Sequence, residues 1–292
     1  MSSEPEQIAP VQDEKQEETQ PTTEEKKVEE EPSNGIQVLI CGHTGATGKE
    51  LMSFLITDSR ISKIVTIGRR EVPEFPPKVV QLVTPEIYNL DEISKTKPEL
   101  TEGKGKYAAA FCCLGTTHGD AGSNEAFRKI DLDGTVAFAN VAKSLEILTL
   151  CLVSSVGASS SSWFNYTKTK GLAEEALIAL KFERLAIFRP GMLDRGEASR
   201  SNEKFAKFFM SSLPVRTLGL VLFEVAMNTE KFQKETPVKI YTNKEIYEIS
   251  KMKKKEEEDV KAKEEKKKKE EEDTKVEEGK KEEEEKENEE KK

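Results

Sequence analysis

Short apolar runs alternate with helix-like stretches through the middle of the chain. Ile36–Cys41 predicts a first strand, followed by a glycine loop and a helix to about Ile56. Ile64–Ile67 predicts a second strand, Val79–Val83 a weaker third, and Ala108–Leu114 a fourth. A helix is expected over about Glu125–Lys143, a fifth strand at Leu148–Val153, and a helix at about Phe164–Leu180. Strands at Leu185–Phe188 and Val238–Tyr241 complete the pattern. Strands that are apolar along their whole length, alternating with helices, indicate a parallel sheet covered on both faces. The expected fold class is α/β with a doubly wound parallel sheet, which binds ligands beyond the carboxyl ends of its strands.

Charge divides the 292 residues into three parts. Residues 1–34 carry 11 acidic and three basic side chains, and residues 251–292 carry 19 and 16, so 35–250 is close to neutral. The first part has few apolar residues and is read as a disordered acidic tail. The last is a Lys/Glu-rich low-complexity tail, a solvated helix or disorder, and with no apolar heptad a coiled coil is not expected. The 35–250 part is one domain with a single large core. Cys41, Cys112, Cys113 and Cys151 fall in apolar runs without metal-ligand spacing. With no signal peptide or Arg-rich presequence, the expected location is cytoplasmic. The longest late apolar stretch, Leu218 to Val225, is interrupted by Glu224, so no transmembrane segment is expected.

Composition thus leaves the chemistry to the strand ends. The first strand runs into Gly42-His43-Thr44-Gly45-Ala46-Thr47-Gly48. Gly42 permits a tight turn, Gly45 lets the backbone approach a pyrophosphate, and Gly48 lets the following helix pack on the strand. A pyrophosphate would sit at that helix N-terminus, cradled by Gly42, Thr44, Gly45, Ala46, Thr47 and Gly48. A triphosphate P-loop is excluded: five residues separate Gly42 from Gly48, and Glu50 follows Lys49. The nucleotide-binding form of the doubly wound sheet, the Rossmann fold, is therefore expected.

Arg69-Arg70 ends the second strand where an acidic residue would meet the ribose hydroxyls of NAD. Guanidinium groups there suit a 2′-phosphate, so NADP(H) is the expected cofactor, the alternative being two solvated surface arginines. Tyr166 and Lys170, four residues apart, share a helix face. The lysine ammonium favours the phenolate, so Tyr166 would exchange a proton with a carbonyl oxygen during hydride transfer. Ser154 or Ser155 could hydrogen-bond the same oxygen. Tyr247 and Lys251 repeat the spacing without a serine-bearing strand end before them and read as residues of an amphipathic helix. His43 and His118 lack a third partner, so no metal site is expected, and His43 reads as polar lining of the loop. Trp163 could roof a substrate site or simply pack.

Ile67-Gly68-Arg69-Arg70, Phe111-Cys112-Cys113-Leu114-Gly115-Thr116-Thr117, Ser154-Ser155 and Phe188-Arg189-Pro190-Gly191 carry a further likeness. Over about residues 36–250 the chain resembles the short-chain dehydrogenase/reductases, and most nearly their atypical Tat-interacting-protein oxidoreductase branch. The resemblance implies NADPH binding with Leu114, Gly115 and Thr116 lining the cleft. It also implies Tyr166 and Lys170 as a catalytic pair and Pro190-Gly191 near the nicotinamide. Similar fungal members are associated with mitochondria. The chain departs from relatives at His118, where an arginine is expected, and at Val83-Thr84-Pro85, which lacks an Asp for the adenine. The stretch after Arg195 is short, which implies a reduced substrate lid.

Two functions follow. One is an NADPH-dependent oxidoreductase passing hydride to a carbonyl-like small molecule with Tyr166 as proton donor. The other is an NADPH-binding regulator or scaffold with little turnover, which holds a protein partner through the charged tails. The neutral middle and acidic ends carry no basic stripe, so no nucleic-acid partner is expected.

Overall fold

The computed structural model describes residues 35–195, 212–232, 236–263 and 265–266. The acidic tail, most of the Lys/Glu tail and most of the stretch after Arg195 lie outside the described residues. Seven parallel strands form the central sheet in the order β3-β2-β1-β4-β5-β6-β9. They are β1 Ile36–Cys41, β2 Ile61–Gly68, β3 Val79–Val83, β4 Tyr107–Cys112, β5 Thr149–Val153, β6 Arg184–Arg189 and β9 Val238–Thr242. A small second sheet pairs β7 (Leu193–Asp194) with β8 (Leu213–Pro214).

Alternation explains why the strands read as continuous apolar runs. Along β1, Val38 and Ile40 enter one hydrophobic cluster while Leu39 and Cys41 enter the other. Successive side chains point to opposite faces, and here both faces are covered. Each fully buried Leu or Ile contributes about 1.5–3 kcal/mol of transfer free energy. The first cluster is closed by α1 (Ala46–Thr57), by the helix Val215–Met227 and by the helix over 243–263. The second is closed by helices including α6 (Gly134–Ser144) and α7 (Asn165–Ala179).

Two elements differ from expectation and one was not anticipated. The helix anticipated over Glu125–Lys143 is interrupted: α5 spans Asn124–Arg128, a π-helical turn spans Lys129–Asp133, and α6 follows. Ser123 caps this run, its Oγ accepting from Ala126 N–H at 3.1 Å. The apolar stretch from Leu218 lies in the helix Val215–Met227, which crosses α1 so closely that a Cβ on Gly219 would stand 2.9 Å from Glu50 Cβ. Within that helix the buried Glu224 is answered by Lys253 at 3.0 Å. The helix over 243–263 therefore runs on past residue 250, with its first turns tied to the core. Tyr247 lies on it and donates to the Ser212 carbonyl at 2.8 Å, in keeping with an amphipathic helix.

The sheet order places β1 beside both β2 and β4, with the chain leaving β1 toward one side and returning on the other. A crevice opens beyond the carboxyl ends of the strands at such a switch point. Gly42 lies there with φ +81°, and a Cβ on it would meet the Cys113 carbonyl oxygen at 2.4 Å. Only glycine lets the backbones of β1 and β4 approach so closely.

Candidate active site

Two adjoining cavities, about 460 and 320 Å³, share Gly45, Cys113, Leu114, Gly115 and Thr116 in their walls. Together they make one cleft across the ends of β1, β2, β4, β5 and β6. The smaller cavity takes in Gly42, Thr44, Arg69 and Arg70. The larger takes in Ala46, Thr47, Ser154, Ser155, Tyr166, Lys170, Pro190 and Gly191. Every site residue expected from sequence lines this cleft except Gly48. Its role is packing, since a Cβ there would lie 2.1 Å from the Gly42 carbonyl oxygen.

The glycine loop ends in the first turn of α1, which no side chain caps. Its N–H groups and the helix dipole face the cleft and favour an anion. At the end of β2 the exposed Arg69 and Arg70 follow Gly68, whose backbone is covered by the His43 ring.

At the other end, α7 is drawn under the loop after β5 at Gly171, where a Cβ would stand 2.2 Å from the Ser159 carbonyl carbon. This seating turns Tyr166 toward the cleft with its ring 5.7 Å from that of Phe127, and leaves the tyrosine 43% exposed. Lys170 is buried, and its Nζ lies 2.7 Å from Asp131 Oδ1 and 3.5 Å from the Leu114 carbonyl. Burial presses the ammonium toward neutrality, but Asp131 and then Tyr166 outweigh it, so Lys170 titrates above the ordinary lysine range. Asp131 is fully buried in the π-helical turn, and its Oδ2 accepts the Thr116 N–H at 2.9 Å. One carboxylate thus holds both the lysine and the loop of Gly115-Thr116. Sequence reasoning missed Asp131; the available signal was an acidic residue inside the helix that faces the β4 loop.

The two serines part company. Ser154 is buried and donates to Glu174 of α7, which also pairs with Arg189 at the end of β6. Ser155 is half-buried and its Oγ donates to the Val156 carbonyl at 3.2 Å on the cleft wall. The Glu174–Arg189 pair accounts for the arginine of the Phe188-Arg189-Pro190-Gly191 motif, because it ties α7 to the strand that leads into Pro190. Gly191 N–H in turn donates to Asn243 Oδ1 at 2.9 Å.

The other singled-out residues take no part in this centre. Trp163 is 100% exposed, so it neither roofs the cleft nor packs in the core. The His118 side chain lies outside the described residues. Cys113 lines the cleft, but burial pushes its thiol well up, and the remaining three cysteines are raised by burial as well. Thiols held protonated are poor nucleophiles. Among the described residues no group of His, Cys, Asp and Glu could hold a metal ion.

A doubly wound parallel sheet with a glycine loop at its switch point, and a Tyr/Lys helix across the crevice, defines the short-chain dehydrogenase/reductase class. No protein-family model matches the chain. Relatives do: protein HTATIP2 of Rattus norvegicus is 37% identical over 179 residues, covering 61% of this chain and 71% of that protein. Protein FMP52-2, mitochondrial, of Scheffersomyces stipitis is 34% identical over 228 residues, covering 73% and 96%. The chain belongs to this HTATIP2/FMP52 family of atypical short-chain dehydrogenases/reductases. Among solved structures, MoeE5 in complex with UDP-glucose and NAD shares the fold at TM-score 0.54 and 12% identity, covering 70% of this chain and 75% of that one. A short-chain dehydrogenase family protein from Francisella tularensis does so at TM-score 0.54 and 13% identity, covering 72% and 98%.

Proposed function

We propose that this chain is an NADP(H)-dependent oxidoreductase that reduces a carbonyl-like small molecule. The observation that carries this reading is a single cleft with Arg69 and Arg70 at one end, Tyr166, Lys170 and Ser155 at the other, and the glycine loop between them. The donor set fits the cofactor. The uncapped first turn of α1 suits a pyrophosphate, and the end of β2 offers guanidinium groups in place of a ribose-binding carboxylate. Bound in its reduced form, the nicotinamide supplies a hydride.

The chain's own residues do the remaining work. Tyr166 donates its hydroxyl proton to the substrate oxygen, and Ser155 Oγ hydrogen-bonds the same oxygen. Lys170, held cationic by Asp131, steadies the charge left on Tyr166. Ser154 is committed to Glu174 and acts by fixing the strand end. Gly115 and Thr116 line the cofactor cleft, and Pro190-Gly191 border the nicotinamide end. Thermal unfolding with NADPH, NADH or neither tests the cofactor: a larger rise with NADPH is expected, and no rise with either defeats the reading. On a panel of carbonyl substrates, Tyr166→Phe is expected to lower turnover by about 10²–10⁴-fold, and unchanged turnover removes Tyr166 from the mechanism.

A second reading, a cofactor-dependent regulator that binds a protein partner, is favoured by the exposed Trp163 and Phe164 just before the Tyr166 helix. Under it, Trp163→Ala abolishes partner capture while NADPH binding persists. The fungal relatives' names support mitochondrial association beside the cytoplasmic expectation. Fractionation of cells expressing the full chain checks it.

A further inference from the structure

His43 is a cleft residue that the proposed reaction does not use. It is 2% exposed, and neither ring nitrogen has a hydrogen-bond partner among the described residues. Because it follows Gly42 directly, the loop delivers its ring to the end of β2. There His43 Cε1 lies 2.5 Å from where a Cβ on Gly68 would sit, and the ring centroid is 5.9 Å from that of Phe75. Arg69 and Arg70 come next in the chain and line the same cavity as His43, with Asp120 the carboxylate facing it. A purely packing residue at this point could be Phe or Leu. An imidazole there leaves buried polar atoms unmet, at a cost of about 1–3 kcal/mol each. Such a side chain asks for a ligand-based explanation when it borders a cavity.

We infer that His43 joins Arg69 and Arg70 in a subsite for the ribose 2′-phosphate of NADP(H), and that its imidazole takes up a proton as this phosphate enters. The inference rests on the cofactor reading above. In the free protein, burial holds His43 below the ordinary histidine range, so the ring is neutral at physiological pH. A phosphate in the cavity supplies both the acceptor that the ring lacks and the negative charge that favours its cationic form. Binding that raises the titration point of a base must tighten as pH falls toward that point. NADPH affinity should therefore gain on NADH affinity as pH falls from about 8 to about 7, above the phosphate's own second pKa of about 6. The two arginines alone would give the opposite proton linkage, because cations around a phosphate make it release protons.

Isothermal titration calorimetry of the full chain with NADPH and with NADH, in two buffers of different ionisation enthalpy, reads the protons exchanged. The wild type is expected to take up protons with NADPH and not with NADH. His43→Gln is expected to lose that uptake and about tenfold in NADPH affinity, with NADH affinity within about twofold. Equal proton exchange in wild type and variant overturns the inference, as does an equal loss for both nucleotides. If His43→Gln does not fold, the wild-type ratio decides: a preference for NADPH that is flat or weakens on acidification overturns it. Binding of NADPH without proton uptake defeats only the His43 assignment. No binding of either nucleotide defeats the cofactor reading and the subsite together.

Discussion

At the scale of single residues, the site turns on one buried ion pair. Lys170 lies at the base of the cleft because Asp131 holds it there, and neither group has water to fall back on. Removing one partner of such a pair leaves an uncompensated charge, and Asp131→Leu should destabilise the domain by about 3–5 kcal/mol. Asp131→Asn keeps an oxygen for the Thr116 N–H but removes the charge, and urea denaturation separates the two effects. Lys170 titrates above its unfolded value, so the stabilisation it contributes is complete below that value, near pH 10.4, and is lost as pH rises through the folded one. Without Asp131, burial drives Lys170 below the ordinary lysine range. The advantage of wild type over Asp131→Asn should therefore be complete at neutral pH, begin to shrink before about pH 10 as the variant's lysine sheds its proton, and shrink further beyond it. A constant difference to higher pH would mean that the pair contributes shape alone. The serines provide a second contrast. Ser155→Ala should cost about 10²–10³-fold in turnover with stability unchanged. Ser154→Ala should cost about 1–3 kcal/mol of stability, because Glu174 loses a buried donor, with a smaller effect on turnover.

At the scale of elements, the cleft depends on helices that never touch it. The helix Val215–Met227 packs on α1 through Gly219, and α1 carries at its start the turn proposed to hold the pyrophosphate. Gly219→Val should push the two helices apart, costing about 1–3 kcal/mol and weakening NADPH binding. Chemical denaturation and nucleotide titration of that variant check both. The helix over 243–263 answers Glu224 with Lys253, and Lys231 pairs with Glu256 at 2.6 Å nearby. Deleting residues 251–292 should therefore lower the melting temperature of the domain, because Lys253 and Glu256 go with them. These helices were only partly legible. The run from Leu218 is buried almost throughout because it is wedged between sheet and helices, and a short apolar run of this kind reads equally as strand or helix. The π-helical turn leaves no mark on a period-3.6 pattern beyond a shift of one residue.

At the scale of the whole molecule, parallel strands and one switch point collect residues from five strand ends into a single cleft. No helix among the described residues is long and apolar enough to cross a membrane. The sequence by itself determined the sheet and the glycine loop. Strands buried on both faces must be apolar throughout, and the approach of β1 to β4 at Gly42 admits no side chain; both are local demands written into consecutive residues. It also determined that Arg69, Thr116, Ser155, Tyr166 and Pro190 would meet, because strand ends in a parallel sheet share one edge. Only the tertiary structure decided which serine is committed to Glu174, which carboxylate holds Lys170, and where the His43 ring lies. Ser154 is diverted by Glu174 and Arg189, Lys170 is held from another helix, and His43 rests on Gly68 of a neighbouring strand. Each of these depends on a partner distant in sequence, and burial, which sets the strength of such contacts, exists only once the chain has packed.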